Sequence, residues 1–140
     1  MVNGSYYDSD MCNASNSSVK LIDMSRFSNT GGTGFHLSFD NNWTVSVQFS
    51  GGHYCDNYDK KWNFAQEQAA KGDSIRSSTA EIAVWSNRIS DSGLISLEND
   101  TVRGYTTTNE VAQVIHKVST AKSTLTSKQM TKRLSKIWKY

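Results

Sequence analysis

The sequence has little cysteine and no long apolar run, and both absences narrow the class of protein. Its two cysteines, Cys12 and Cys55, are too few for a disulfide framework and are typical of a reducing compartment, although one bridge between them stays an open alternative. No apolar run approaches the length of a membrane span, and residues 1–10 have neither the basic segment nor the apolar core of a secretion signal. At 140 residues the chain is predicted to be soluble and cytoplasmic, with one main domain and no membrane contact.

Carboxylates are absent from the C-terminal part of the chain. Residues 115–140 contain six lysines and Arg133 but no aspartate or glutamate, although the net charge of the whole chain is only +2. Residues 1–59 have the opposite balance, with six aspartates against one lysine and one arginine. This asymmetry predicts that one end of the molecule is basic.

Residues 35–49 contain two runs in which apolar and polar side chains alternate, which is typical of two half-buried strands. A loop of three residues, 40–42, would place Phe39 opposite Trp43 and Phe35 opposite Val47, so that the apolar side chains share one face. A two-residue loop would put the two apolar sets on opposite faces. The sequence therefore predicts an antiparallel hairpin with a three-residue loop and one continuous apolar face.

Two helices follow from capping and periodicity. Thr107 and Glu110 match a capping box, and apolar residues at helical spacing follow, which predicts a helix from about Thr108 to Ala121 packed on the sheet. Residues 128–140 combine a narrow apolar stripe with lysines on the other faces, which predicts a basic amphipathic helix. Clear alternation predicts a strand over residues 80–85. Other patterns predict strands over 19–27, 94–97 and 101–105, a turn over 28–34, and a short helix over 62–71.

Together these elements predict an α+β fold. It consists of an antiparallel sheet of about four to six strands, one packed helix, and a more mobile basic C-terminal helix. The predicted organisation is a flexible polar arm over residues 1–18, an α+β domain over 19–121, and a linker with the basic helix over 122–140.

The residues that could support catalysis do not form a recognisable set. A zinc site could draw on His53, Cys55, Asp56 and Asp59, but their spacing lacks the repeated pattern of known zinc motifs. The motif at residues 36–38, His-Leu-Ser, is similar to one half of the paired His-x-Thr/Ser motifs of two-histidine phosphoesterases, and no second copy is present. The sequence therefore predicts a protein that is not an enzyme and has no catalytic residues, metal or cofactor.

Two surfaces are candidates for binding. In the basic helix the charges would contact nucleic acid, a phosphate-bearing ligand or an acidic protein, with Trp138 stacking; alternatively, its apolar stripe docks on the domain or on a second copy of the chain. In the aromatic loop, residues 51–62, the rings would form a pocket for a base or a sugar; alternatively, they complete a small core. The predicted binding residues are Lys128, Lys132, Arg133, Lys136, Trp138 and Lys139 in the helix, and His53, Tyr54 and Tyr58 in the loop.

Three segments, GFHLSFDNNWTVSVQFSGGHYCDN, AEIAVW and DTVRGYTTTNEVAQVI, resemble a group of small proteins of unassigned function encoded by tailed bacteriophages, in which these motifs recur in the same order. The resemblance covers about residues 34–118 and implies no functional residues, because the group has no assigned activity. The polar arm, residues 62–71 and the basic tail depart from the group.

A phage origin implies a protein that acts in the cytoplasm of the bacterial host. The function expected from this resemblance is non-enzymatic, anti-CRISPR-like inhibition of antiviral immunity, through binding of a host immune effector protein or nucleoprotein or its nucleic acid. The alternatives are a protein that sequesters a cyclic or ADP-ribose-type signalling nucleotide and a small phage enzyme. Whether the chain forms a homodimer stays open.

Overall fold

The computed structural model describes residues 25–88 and 93–138, which form an antiparallel sheet with helices. The strands are β1 (Arg26–Asn29), β2 (Gly34–Ser38), β3 (Trp43–Gln48), β4 (Thr79–Ser86), β5 (Gly93–Leu94) and β6 (Arg103–Thr107). The helices are α1 (Phe64–Ala70), α2 (Thr108–Ser119) and α3 (Ser127–Ser135), and a 3₁₀ turn, Lys136–Trp138, follows α3. The sheet order is β1-β2-β3-β4, and β5 and β6 both pair with β4. The predicted α+β class is confirmed.

The hairpin formed by β2 and β3 has the predicted register. Phe35 pairs with Val47 and Leu37 with Val45, and the Phe39 amide donates to the carbonyl of Trp43 at 2.9 Å. The loop is therefore three residues long. Asn42 takes the left-handed conformation that this loop requires, with φ of 71°.

The hairpin loop also caps the C-terminus of helix α2, and the sequence did not predict this contact. The Asn41 side-chain amide donates to the carbonyls of Val118 at 2.8 Å and Ala121 at 2.9 Å, and its Oδ1 accepts from the Trp43 amide at 3.1 Å. The last carbonyls of a helix have no partner within the helix, so this buried side chain satisfies them. Asn41 therefore joins the tip of the hairpin to the C-terminus of α2.

Helix α2 begins with the predicted capping box. The Thr107 hydroxyl accepts from the Glu110 amide at 3.3 Å, and the Glu110 carboxylate accepts from the Thr107 amide at 2.9 Å. Thr107 is also the last residue of β6, so the cap sets the angle at which the chain leaves the sheet. Val114 and Val118 of α2 are fully buried against the central strands.

Helix α3 belongs to the same core. Met130 and Leu134 have no exposed surface and Trp138 is 4 % exposed, and all three join the cluster that contains Trp43, Val45 and Val47 of β3. A capping box at Thr126 and Gln129 starts the helix. The apolar core therefore continues beyond residue 121, and the expected mobile terminal helix is instead a packed one through residue 138. Of the two alternatives for this segment, docking on the domain is the one observed.

Several elements differ from the prediction in their bounds. Strand β1 extends to Asn29, so the predicted turn begins two residues later, and residues 1–24, which include the arm and the start of the predicted first strand, lie outside the described residues. The strand predicted over 94–97 has only two residues, because the edge of β4 is shared with β6 and the chain turns away at Glu98, which has φ of 65°. The short helix predicted over 62–71 is α1, Phe64–Ala70, and it ends before Gly72, which has φ of 74°.

Candidate functional site

The aromatic loop is held by buried polar groups at its base. The Asn57 side-chain amide donates to the carbonyls of Phe49 at 2.8 Å and Arg76 at 2.9 Å, and the buried Cys55 thiol donates to the Ser50 carbonyl at 3.6 Å. Cys55 therefore has a structural role here, while Cys12 lies outside the described residues. This base fixes the loop backbone and leaves its tip to face solvent.

Tyr54 and Tyr58 stand on this base with their rings stacked, 5.1 Å between centroids and 17° between planes. They are 45 % and 48 % exposed, so they do not complete a small core as the alternative interpretation required. Tyr105, which is 55 % exposed, joins them through its amide, which donates to the Tyr54 carbonyl at 2.7 Å. We call Tyr54, Tyr58 and Tyr105 the tyrosine patch.

Two carboxylates hold the tyrosine patch in place. Glu81 of β4 accepts from the Tyr54 amide at 3.1 Å. Asp56, between the two stacked tyrosines in sequence, accepts from the Thr79 hydroxyl at 2.7 Å and from the amide and hydroxyl of Ser78. The hydrogen bonds from Ser78 and Thr79 hold the pKa of the Asp56 carboxyl below its ordinary value. The patch is therefore bordered by negative charge.

The face of the sheet opposite α2 is lined by small polar residues that bond to one another. Ser38 and Thr44 share a hydrogen bond of 2.9 Å, and the Gln48 amide donates to the Ser46 hydroxyl at 3.2 Å. All four are at least nine-tenths buried. Internal hydrogen bonds of this kind leave few groups for a ligand, so the polar hairpin face is a structural layer rather than an open site.

The three histidines have different environments and different contacts. His36 packs edge-on against Trp85, with 5.0 Å between ring centroids, and its desolvation lowers its pKa. His53 accepts through Nδ1 from the Ser50 amide at 3.3 Å, and His116 is exposed on α2. Within residues 25–88 and 93–138 no three His, Cys, Asp or Glu side chains form a group that could hold a metal ion.

Acid is expected to destabilise the fold through His36. Its pKa in the folded state is lowered, so the unfolded state takes up the proton first, and the stability is complete above about pH 6.5 and falls as the pH drops from there through the folded pKa. The variant His36→Phe keeps an aromatic edge against Trp85 and cannot titrate. Urea unfolding of both proteins at several pH values should show the wild type losing more stability than the variant on acidification, and parallel pH profiles would contradict this assignment.

The basic helical surface is formed by α3 and the end of α2. The Lys128, Lys132 and Lys136 side chains are exposed, and Arg133 is held by a hydrogen bond from its Nε to the Lys117 carbonyl at 2.9 Å. A shallow cleft of 210 Å³ lies among Leu125, Gln129, Lys132, Arg133 and Lys136. Residues 111–138, which include this surface, contain lysine and arginine but no aspartate or glutamate.

Trp138 does not take part in this surface. It is buried, and the Arg103 guanidinium lies over its ring at 4.2 Å while also pairing with Glu98. The predicted stacking role of Trp138 therefore does not fit the structure, because its ring faces the core and Arg103. Lys139, the remaining predicted residue, lies outside the described residues.

A cavity of 280 Å³ lies between the sheet and the start of α2. It is lined by the apolar side chains of Phe35, Val47, Phe49, Ala80 and Val111, with hydroxyl residues at its rim. No lysine or arginine is among its lining residues. Its chemistry therefore suits a neutral or apolar group better than a phosphate.

Comparisons of the chain with protein-family models, with curated proteins and with solved structures gave no match. None of the helices in the described ranges has the length and apolar character needed to cross a bilayer.

Proposed function

We propose that this chain is a non-enzymatic phage-encoded inhibitor of bacterial antiviral immunity that binds a host immune effector, a protein or nucleoprotein, through the basic helical surface. The phage origin is carried by the sequence resemblance over residues 34–118. The observation that supports the surface is the separation of the two sides of α3. Its apolar side chains are used in the core, and its cations remain outside.

The positive charges of this surface are not neutralised by carboxylates of the same segment. Residues 111–138 contain five lysines and Arg133 and no carboxylate, and the described ion pair, Arg103 with Glu98, lies outside this segment. Packing through Met130 and Leu134 holds the helix axis fixed, so the cations are presented from a rigid support. Rigid, uncompensated positive charge favours contact with the phosphates of a nucleoprotein or with an acidic protein surface.

The alternative, sequestration of a signalling nucleotide, is less well supported by the geometry. A cyclic or ADP-ribose-type nucleotide needs cations or backbone amides at its phosphates. The 280 Å³ cavity offers hydroxyl groups and apolar walls instead. The cleft beside Lys132, Arg133 and Lys136 has a volume of 210 Å³, is shallow and lies on the basic helical surface itself.

Expression of the chain in bacterial strains that each carry one antiviral system tests the proposal. Restored plating of a targeted phage is expected in at least one strain, together with co-elution of the chain and the effector of that system. The variant Lys132→Glu, Lys136→Glu should weaken binding of the purified effector by at least about tenfold, the change that corresponds to ~1.4 kcal/mol. Binding by the wild type should also weaken as salt is raised.

The matched control is Lys61→Glu, Lys71→Glu, which makes the same charge change at two exposed lysines outside the helices α2 and α3. Both variants should give the circular dichroism spectrum of the wild type. Failure to restore plating in every strain would count against inhibition of immunity. Equal binding by the two double variants would count against the basic helical surface.

A further inference from the structure

The tyrosine patch is a second exposed surface, on the opposite side of the sheet from the basic helical surface. Glu81, which bonds to Tyr54, alternates along β4 with Ile82 and Ala80, whose side chains enter the core beneath α2. Side chains that alternate along a strand point to opposite faces, so the patch and the helices lie on different faces. The proposed function does not use the patch.

The patch is held rigidly, and part of it is strained. Tyr105 has φ of 52°, a left-handed conformation that is rare for a bulky residue, at an irregularity in the pairing of β4 with β6. Next to it, a Cβ added at Gly104 would lie 2.4 Å from the Cβ of Tyr54, so only glycine allows this close approach. Strain of this kind persists where the surrounding structure enforces it and is concentrated at functional positions.

The surroundings of the patch combine π faces with carboxylates. Asp56 and Glu81 both bond to groups of the loop or its neighbours. The Asp56 carboxyl is charged at neutral pH, because its pKa lies below an ordinary value that is already acidic. The nearest arginine in sequence to Tyr105, Arg103, is directed instead to Trp138 and Glu98. Lys60 and Lys61 lie at the end of the loop, where their side chains are exposed and their backbone carbonyls lie close to Gly51.

We propose that the tyrosine patch binds an arginine-bearing segment of a protein partner. The face of Tyr54 or Tyr58 that is turned away from the other ring would receive the guanidinium plane, and Asp56 and Glu81 would supply the opposite charge. Nucleic acid is the less suitable ligand, because its phosphates would be repelled by both carboxylates. The molecule then has two surfaces of opposite electrostatic preference, which could engage two partners or two regions of one partner.

A fluorescently labelled 12-residue peptide of alternating arginine and glycine tests this proposal with the full chain, using fluorescence anisotropy. A peptide with glutamine in place of arginine gives the reference. We expect binding of the arginine peptide and at least about tenfold weaker binding of the glutamine peptide. The double variant Tyr54→Leu, Tyr58→Leu should lose at least about tenfold in affinity, whereas Tyr54→Phe, Tyr58→Phe, which keeps the π faces, should stay within about threefold of the wild type.

The matched control is Phe27→Leu, since Phe27 is 89 % exposed and lies on β1, the strand at the opposite edge of the sheet. The role of the negative charge is tested by comparing the affinity of Asp56→Asn for the arginine peptide with that of Asp40→Asn, which removes a carboxylate from the hairpin loop. Absence of binding to the arginine peptide would overturn the proposal. So would equal affinity for the glutamine peptide, or equal loss in the leucine and phenylalanine variants. A loss with Phe27→Leu as large as with the tyrosine variants would also overturn it.

Discussion

Deletion of residues 127–140 is expected to unfold the domain, because this segment supplies three side chains to the core. Met130 and Leu134 are fully buried, and Trp138 is nearly so. Truncation of one buried leucine or methionine to alanine costs about 2–5 kcal/mol, and small domains are stable by only about 5–15 kcal/mol. Loss of the whole segment also exposes Val114 and Val118 of α2 to water. The truncated chain should lose its near-UV circular dichroism and cooperative unfolding.

A single substitution in this segment measures how much its packing contributes to the free energy of unfolding. Leu134→Ala should lower the free energy of unfolding by about 3 kcal/mol, measured by urea denaturation. Lys132→Ala on the same helix is the control and should change it by less than about 0.5 kcal/mol, because its side chain is exposed. A folded truncation with the stability of the full chain would contradict the packing of α3. Deletion of the tail is consequently a poor functional test, and charge reversal on the folded helix is the informative one.

The second large effect is expected at Asn41. Replacement by alanine removes its hydrogen bonds to the carbonyls of Val118 and Ala121 and to the amide of Trp43. Each buried polar group left without a partner costs about 1–3 kcal/mol, so Asn41→Ala should lower the free energy of unfolding by about 2–4 kcal/mol. Asn41→Asp should be at least as harmful, because a carboxylate would face the carbonyl end of α2.

Asn42→Gly is the control for this experiment. Asn42 has a positive φ, which glycine adopts freely, and the substitution should leave the stability within about 0.5 kcal/mol of the wild type. Urea denaturation measures all three variants. If Asn41→Ala and Asn42→Gly have equal effects, Asn41 contributes only as a loop residue and does not tie the hairpin to α2.

The hairpin and the start of α2 could be predicted because their signals are local. A period of two along residues 35–49, with Asn42 able to adopt positive φ, leaves only one register that puts the apolar side chains on one face. The capping box at Thr107 and Glu110 likewise needs only four consecutive residues. Both features follow from the preferences of neighbouring residues alone.

The features that the sequence did not reveal depend on distant partners. Asn41 bonds to carbonyls 77 and 80 positions away, and nothing near it in sequence indicates a helix end. In the candidate site, Tyr54 and Tyr58 stood out as a dense group of aromatic residues, but Tyr105 and Glu81 did not. These two reach the loop only because β4 and β6 bring them there. The one local signal for Tyr105 was the glycine that precedes it.

The packing of the basic helix shows why its amphipathic pattern alone left two alternatives open. A stripe of Met130, Leu134 and Trp138 predicts that something covers it, but not whether that is the same domain or another molecule. The stripe packs on the domain because α2 and β3 offer it an apolar surface, and no local sequence pattern describes that surface.

The position of α2 and α3 after all six strands has a consequence for biosynthesis. The ribosome makes β3 and β4 before either helix, so Trp43, Val45 and Val47 remain without their cover while the rest of the chain is translated. A nascent sheet with an open apolar face is prone to aggregation and is a substrate for chaperones that act during translation. The yield of folded protein therefore depends on how quickly these two helices emerge and close over the sheet.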